Sequence, residues 1–180
     1  MTVPSELAEP AAIEPAAFAF DTVFAAQYER ITRAIARILG DGGHAEELAA
    51  EAFWRLSRTR AAQGPDCGGW LYRTAIRLAL DELRRRARYQ RYERWLSMVL
   101  RRPPTPHDVL ARSDERRRVH TVLAALPRRE AELLLLHSDG APYREIATTL
   151  AMNAASIGTL LGRARKAFQR EYVRRYGHER

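Results

Sequence analysis

The sequence predicts an all-α protein: two small helical domains joined by a proline-containing tether, the C-terminal one a helix-turn-helix. Three observations carry this. Apolar residues recur at three- and four-residue spacings along most of the chain, and no segment sustains the two-residue alternation of a strand. Between the two periodic halves, "RRPPTPHD" (101–108) breaks the pattern, because consecutive prolines remove backbone donors and force an extended path.

Each element follows in order. Residues 1–17, "MTVPSELAEPAAIEPAA", form a Pro/Ala/Glu tail with no periodic face. Phe20, Phe24, Tyr28, Ile31, Ile35 and Ile38 then line one face of a first helix, which "GDGG" (40–43) stops. A second helix over 44–58 buries Leu48, Ala52 and Leu56, and "QGPDCGG" (63–69) reads as a loop from its glycines and proline. A long third helix runs from about Trp70 to Trp95 and completes a first domain over 18–96. Past a linker over 97–115, a second domain (116–177) carries shorter helices near 109–125, 128–137, 142–151 and 154–175, with breaks marked by Pro127 and by Asp139-Gly140.

Charge narrows the function. The chain of 180 residues has a formal charge of +8, which favours a polyanionic partner, either nucleic acid or an acidic membrane surface. Lys166 is the only lysine, so arginine supplies nearly all of the positive charge. Cys67 is the only cysteine, which excludes an internal disulfide or a cysteine-based zinc site and fits a reducing compartment. The chain has no apolar run long enough to cross a bilayer and no basic, apolar leader, so it reads as cytoplasmic without membrane insertion.

Position matters more than net charge. At 100° per residue, Arg73, Arg77, Arg84, Arg88 and Arg91 fall within a stripe roughly 60° wide on the third helix, with Leu71, Ala75, Leu78, Ala79 and Leu83 across from it. A solvated helix gains from interleaved acids, but here only Asp81, Glu82 and Glu93 dilute the arginines. A soluble basic face would explain the charge alone. Trp70, Tyr72, Tyr89, Tyr92 and Trp95 flank the stripe, however, and rings beside guanidinium groups suit an unstacked single strand. Of these rings, Trp70 and Tyr72 are expected to pack at least partly inward.

The second half offers another nucleic-acid signal. "YREIATTLAMNAASIGTLLGRARKAF" (143–168) reads as helix, turn, helix: Ile146, Ala147 and Leu150 face in, "AMN" turns, and Ile157, Leu160, Leu161 and Ala164 face back. In such a motif the N-terminal residues of the second helix meet base edges in the major groove. Asn153, Ala155, Ser156 and Thr159 occupy those positions, and Arg163, Arg165 and Lys166 follow as candidate phosphate contacts. A helical hairpin with a purely structural role has similar spacing.

Together these stretches resemble the extracytoplasmic-function sigma factors of bacterial RNA polymerase. The resemblance rests on "AEELAAEAF" (45–53), "WLYRTAIRLALDELRRRAR" (70–88), "LAALPRREAELLLL" (123–136) and the hairpin at 143–168, in the family's order and spacing over about residues 18–175. It implies that Glu47, Leu48, Ala50, Glu51 and Phe53 contact the clamp of core RNA polymerase. It also implies that Trp70, Arg73, Arg77, Arg84, Arg85 and Arg88 engage the non-template strand of the minus-ten element, and that the loop "TRAAQGPDCGG" (59–69) shapes a pocket for a flipped base. The second domain would read the minus-thirty-five duplex and touch the polymerase flap, with the linker threading towards the RNA exit path. Promoter DNA and core polymerase are the implied partners, an anti-sigma factor is a candidate regulator, and no cofactor or metal is implied.

Three departures stand out. Ala50 replaces the family's usual glutamine, Arg77 its usual asparagine, and Ser156-Ile157-Gly158-Thr159-Leu160 a common Thr-Val-Lys-Ser-Arg run. Gly158 and Gly162 should each cost about 1 kcal/mol of helix stability relative to alanine. Either they permit close approach to DNA or another helix, or the domain reads its element loosely. A stand-alone sigma-like DNA-binding regulator that no longer supports initiation is the competing reading, and a basic membrane-surface protein is a third.

Catalytic residues are not expected. The five histidines are scattered, and "GDGG" lacks the lysine and preceding strand of a phosphate loop. The adjacent pairs Glu46-Glu47 and Asp81-Glu82 point to different helix faces.

Overall fold

The computed structural model describes residues 18–99 and 114–177, all of whose regular elements are helical. The tail at 1–17 and most of the expected linker lie outside the described residues. α1 spans Phe20–Leu39 and α2 spans Gly42–Arg58. The glycine-rich stretch between them both ends one helix and starts the next. Gly40, at φ +69, takes the left-handed turn that L side chains resist and donates its N–H to the Ala36 carbonyl at 2.7 Å. Asp41 then caps α2 by accepting from the His44 N–H at 3.2 Å, which draws Gly42 and Gly43 into the helix.

α3 spans Cys67–Val99, 33 residues or about 50 Å of continuous helix. It starts earlier than the glycines suggest. The Trp70 N–H bonds the Asp66 carbonyl at 3.1 Å, and Gly68 and Gly69 sit in the first turn beside Gln27 and Thr149. The preceding loop is therefore short, and it contains a 3-10 turn over Arg60–Ala62. Gln63 closes it by donating its amide to the carbonyls of Leu56 and Ser57 at 2.9 Å, which satisfies the C-terminal end of α2.

In the second half, α4 spans Asp114–Ala125, α5 Arg128–Ser138, α6 Tyr143–Leu150 and α7 Ile157–Tyr176. Pro127 and Gly140, the latter at φ +82, sit at two of the breaks, as the sequence indicates. Ala151 makes the α6–α7 turn at φ 52, a left-handed conformation that costs an L residue roughly 1–2 kcal/mol. Asn153 accepts from the Ala155 N–H at 2.9 Å and caps a 3-10 turn, Ala154–Ser156, that leads into α7.

The two halves are packed together. Buried residues from Ile31 to Leu161 form one continuous core. α3 lies at its centre, with α1 and α2 against one side and α4, α5 and α6 against another. The basic face of α3 is narrower in the proximal half, where Arg77 is exposed and Arg73 partly covered, than in the distal half, where Arg85, Arg88 and Arg91 are all exposed. In the proximal half Leu71, Tyr72, Ala75, Ile76, Ala79, Leu80 and Leu83 are all buried and cover about half of the circumference, the face that the neighbouring helices enclose.

Candidate nucleic-acid interface

Two surfaces carry the residues that the sequence singled out. On α3 the arginines separate into three environments. Arg77 donates from Nε to Glu132 Oε1 at 2.8 Å, and this carboxylate, from α5, is only 2% exposed. Arg84 donates from Nε to the Ala124 carbonyl at 3.3 Å and from Nη2 to the Leu126 carbonyl at 3.2 Å, so it covers the C-terminal end of α4. Arg85 and Arg86 both bond Glu82, at 2.7 to 2.9 Å, while Arg86 also reaches Asp41 at 3.4 Å. Among the described residues, Arg73, Arg88 and Arg91 have no ion pair.

The Glu82 cluster shows how local charge is settled. Burial raises the cost of ionising Glu82, but hydrogen bonds from Arg85 and Arg86, with the added charges of Arg85 and His44, outweigh it and hold the carboxyl at about 2. Glu82 thus ties the N-terminus of α2 to α3, and Arg85 keeps an exposed guanidinium beside it.

The aromatic residues divide as well. Tyr72 is buried and Trp70 half-buried against the core, whereas Tyr89, Tyr92 and Trp95 are exposed along the distal half of α3. Arg88 and Arg91 are exposed on the same half, so ring faces and free guanidinium groups coexist there.

The hairpin of α6 and α7 presents the second surface. Ile146, Ala147, Leu150, Ile157, Leu161 and Ala164 are buried between the helices and fix their crossing, while Leu160 is only partly covered. Asn153, Ala155, Ser156 and Thr159 are exposed together at the start of the second helix, and Arg163, Arg165 and Lys166 are exposed beyond them. Arg165 meets the His137 ring at 2.6 Å. Neither suspect glycine is demanded by a close approach within the chain. A Cβ at Gly158 would lie 3.6 Å from the Tyr143 ring, an ordinary contact, and one at Gly162 would meet nothing within 4 Å.

On α2, Glu47 and Ala50 are exposed and Glu51 is partly so. Phe53 points the other way. It is 2% exposed and its ring packs against Phe20, Phe24 and Tyr28 with centroids 4.8 to 6.3 Å apart, so it supports this face from beneath and is withdrawn from contact with a partner. Leu48 is half-buried at the border. Sequence reasoning missed Trp54, which stands exposed on the same face with Arg58 stacked over its ring at 5.1 Å. Its three- and four-residue spacing from Ala50, Glu51 and Arg58 would have revealed it.

A basic aromatic helix in one half and an exposed helix-turn-helix in the other define a two-part helical DNA-binding protein. Comparison with known proteins narrows the class. Residues 23–89 match the family Sigma-70 region 2, and residues 116–168 match Sigma-70, region 4. The chain is 34% identical over 145 residues to the ECF RNA polymerase sigma factor SigK of Mycolicibacterium vanbaalenii, covering 74% of each chain. It is 34% identical over 142 residues to a probable ECF RNA polymerase sigma factor, SigI of Mycobacterium tuberculosis, covering 72% of this chain and 47% of that one. Against SigE of Mycolicibacterium smegmatis, another ECF RNA polymerase sigma factor, identity is 28% over 159 residues, covering 84% of this chain and 60% of that one. The chain belongs to the extracytoplasmic-function sigma factors.

Proposed function

We propose that the protein is the sigma subunit that carries core RNA polymerase to a defined set of promoters and starts transcription there. The observation that carries this reading is the pairing, in one chain and in family order, of the region-2 basic aromatic helix with the region-4 hairpin. The exposed face of α2, with Glu47, Ala50, Glu51 and Trp54, and Leu48 at its edge, engages the polymerase clamp. Trp70, Arg73, Arg77, Arg84, Arg85 and Arg88 hold the displaced non-template strand, whose phosphates need cations and whose unstacked bases need rings. Asn153, Ala155, Ser156 and Thr159 meet base edges of the upstream duplex, while Arg163, Arg165 and Lys166 bind its phosphates. The second domain also meets the flap.

Nucleotide addition belongs to the core enzyme, and this chain contributes positioning and strand capture. The protein works where the polymerase does, in the cytoplasm. An anti-sigma factor is a candidate regulator. Support for the reading comes from the exposure of Asn153, Ala155, Ser156 and Thr159 on the hairpin and of Arg77, Arg85 and Arg88 on α3.

The test is co-elution of the purified chain with bacterial core RNA polymerase, followed by sequencing of the DNA that the complex retains. A shared two-part motif is expected. A folded chain that binds duplex DNA alone and never the core enzyme would establish the stand-alone regulator instead.

A further inference from the structure

The face of the α6–α7 hairpin that the functional reading lays in the major groove is uncharged. From Asn153 to Gly162 the chain has no acidic or basic side chain, and the first cation of α7 is Arg163. Arg163 lies two turns beyond Ser156, about 10 Å along the helix axis. Guanine is read in the major groove chiefly by an arginine or lysine that spans its O6 and N7 atoms. The first turn of α7 holds no such group, and Gly158 within it has no side chain at all.

Methyl groups and donors are what this face presents. Ala154, Ala155, Ser156 and Thr159 are all exposed, and Ala155 and Thr159 lie one turn apart on one side. Asn153 narrows the choice of base. Its Oδ1 accepts from the Ala155 N–H at 2.9 Å, the cap that starts the 3-10 turn, so only its amide N–H groups remain for a ligand. Recognition of adenine by asparagine needs both ends of that amide, the oxygen for N6 and the nitrogen for N7. The cap has already taken the oxygen. A donor beside a cluster of methyls matches thymine instead, which presents the acceptor O4 next to its 5-methyl group.

We propose that the hairpin selects thymine: the methyls of Ala155 and Thr159 pack on thymine 5-methyl groups of the upstream element, Asn153 donates to a thymine O4, and the first turn of α7 selects no guanine. The upstream element of this protein is accordingly rich in A·T pairs where the start of α7 meets it. Arg163, Arg165 and Lys166 add an attraction common to every sequence. The inference rests on the proposed use of the hairpin against duplex DNA, and it names the base and the groups that choose it.

The test sequences the DNA retained by the full chain with core polymerase, and by the full chain alone from a random duplex library. A run of A·T pairs is expected in the upstream half. Each thymine there is then replaced by deoxyuridine, which deletes the 5-methyl group and nothing else. Affinity is expected to fall about fourfold at one or two of these positions, the size for one buried methyl group. Thr159→Ser and Ala155→Gly each delete one protein methyl at an exposed position. Each variant should bind the thymine duplex about fourfold less tightly and lose the response to uracil at one position.

Uracil duplexes bound as tightly as thymine ones, or an upstream half whose shared bases are G·C pairs, would overturn the inference. A response to uracil that persists in full in both variants would overturn the assignment to these two methyls. Core binding judges the sigma reading separately. A chain that responds to uracil on duplex alone and never binds core polymerase keeps this inference and loses that reading, whereas co-elution with an upstream half indifferent to uracil does the reverse.

Discussion

Arg84 and Arg88 occupy the same stripe one turn apart, yet they face different competitors. Arg88, exposed and without an ion pair among the described residues, is the cleaner phosphate candidate. Arg88→Ala should leave thermal stability unchanged and reduce the salt slope of single-strand binding by about 0.7, the value for one phosphate, as measured by titration at several ionic strengths. Glu82 gives a prediction on stability. Its carboxyl is held at about 2 in the folded chain, below the ordinary value near 4.5, so its contribution is complete above about pH 4.5 and is lost as the pH falls towards 2. Glu82→Gln should therefore lower the melting temperature at pH 7 and flatten the loss of stability across that acid range. The arginine stripe was legible from sequence because helical spacing places its members on one face. The burial of Ile76 and Leu80 was not, since local periodicity names an apolar face without saying how many neighbours will cover it.

Among the elements, α7 carries the most evident local conflict. Gly162 sits inside a helix with open space where a side chain would go, so nothing in the chain offsets its propensity cost. Gly162→Ala should stabilise the protein by about 1 kcal/mol in urea unfolding. If the glycine serves close approach to DNA, the same change should weaken duplex binding, and a binding titration beside the unfolding curve separates the two accounts. The hairpin itself was readable from its buried spacing and its turn. The start of α3 was not, because glycines at 68 and 69 signal a loop until Asp66, Gln27 and Thr149 are seen around that first turn.

For the whole molecule, the prolines near 103 lie outside the described residues, and as a sequence signal they say nothing about whether the halves on either side touch. Arg77 meets Glu132 and Tyr72 meets Asp139 across more than fifty residues of sequence, and such pairings leave no period to detect. A cavity of about 740 Å³ remains between the halves, lined by Ile38, Ile76, Leu123 and His120 among others. Burial pushes the His120 imidazole below its ordinary 6.5, with the charges of Arg116 and Arg86 adding to the effect. A lowered folded value means that the neutral ring stabilises the packing above about pH 6.5 and that this contribution is lost as the pH falls. The melting temperature should accordingly decrease on acidification below 6.5, and His120→Phe should remove that part of the pH response.

The cover that Arg84 places on α4 has a thermodynamic corollary. A guanidinium from one half of the chain supplies the donors that the carbonyls of Ala124 and Leu126 need in the other, so α4 is finished only where α3 lies against it. Together with the single core that runs through both halves, this couples their melting. Calorimetry should therefore find one transition, with the measured heat equal to the heat implied by its sharpness, rather than two steps. Cooperativity belongs to the whole chain and to neither half alone.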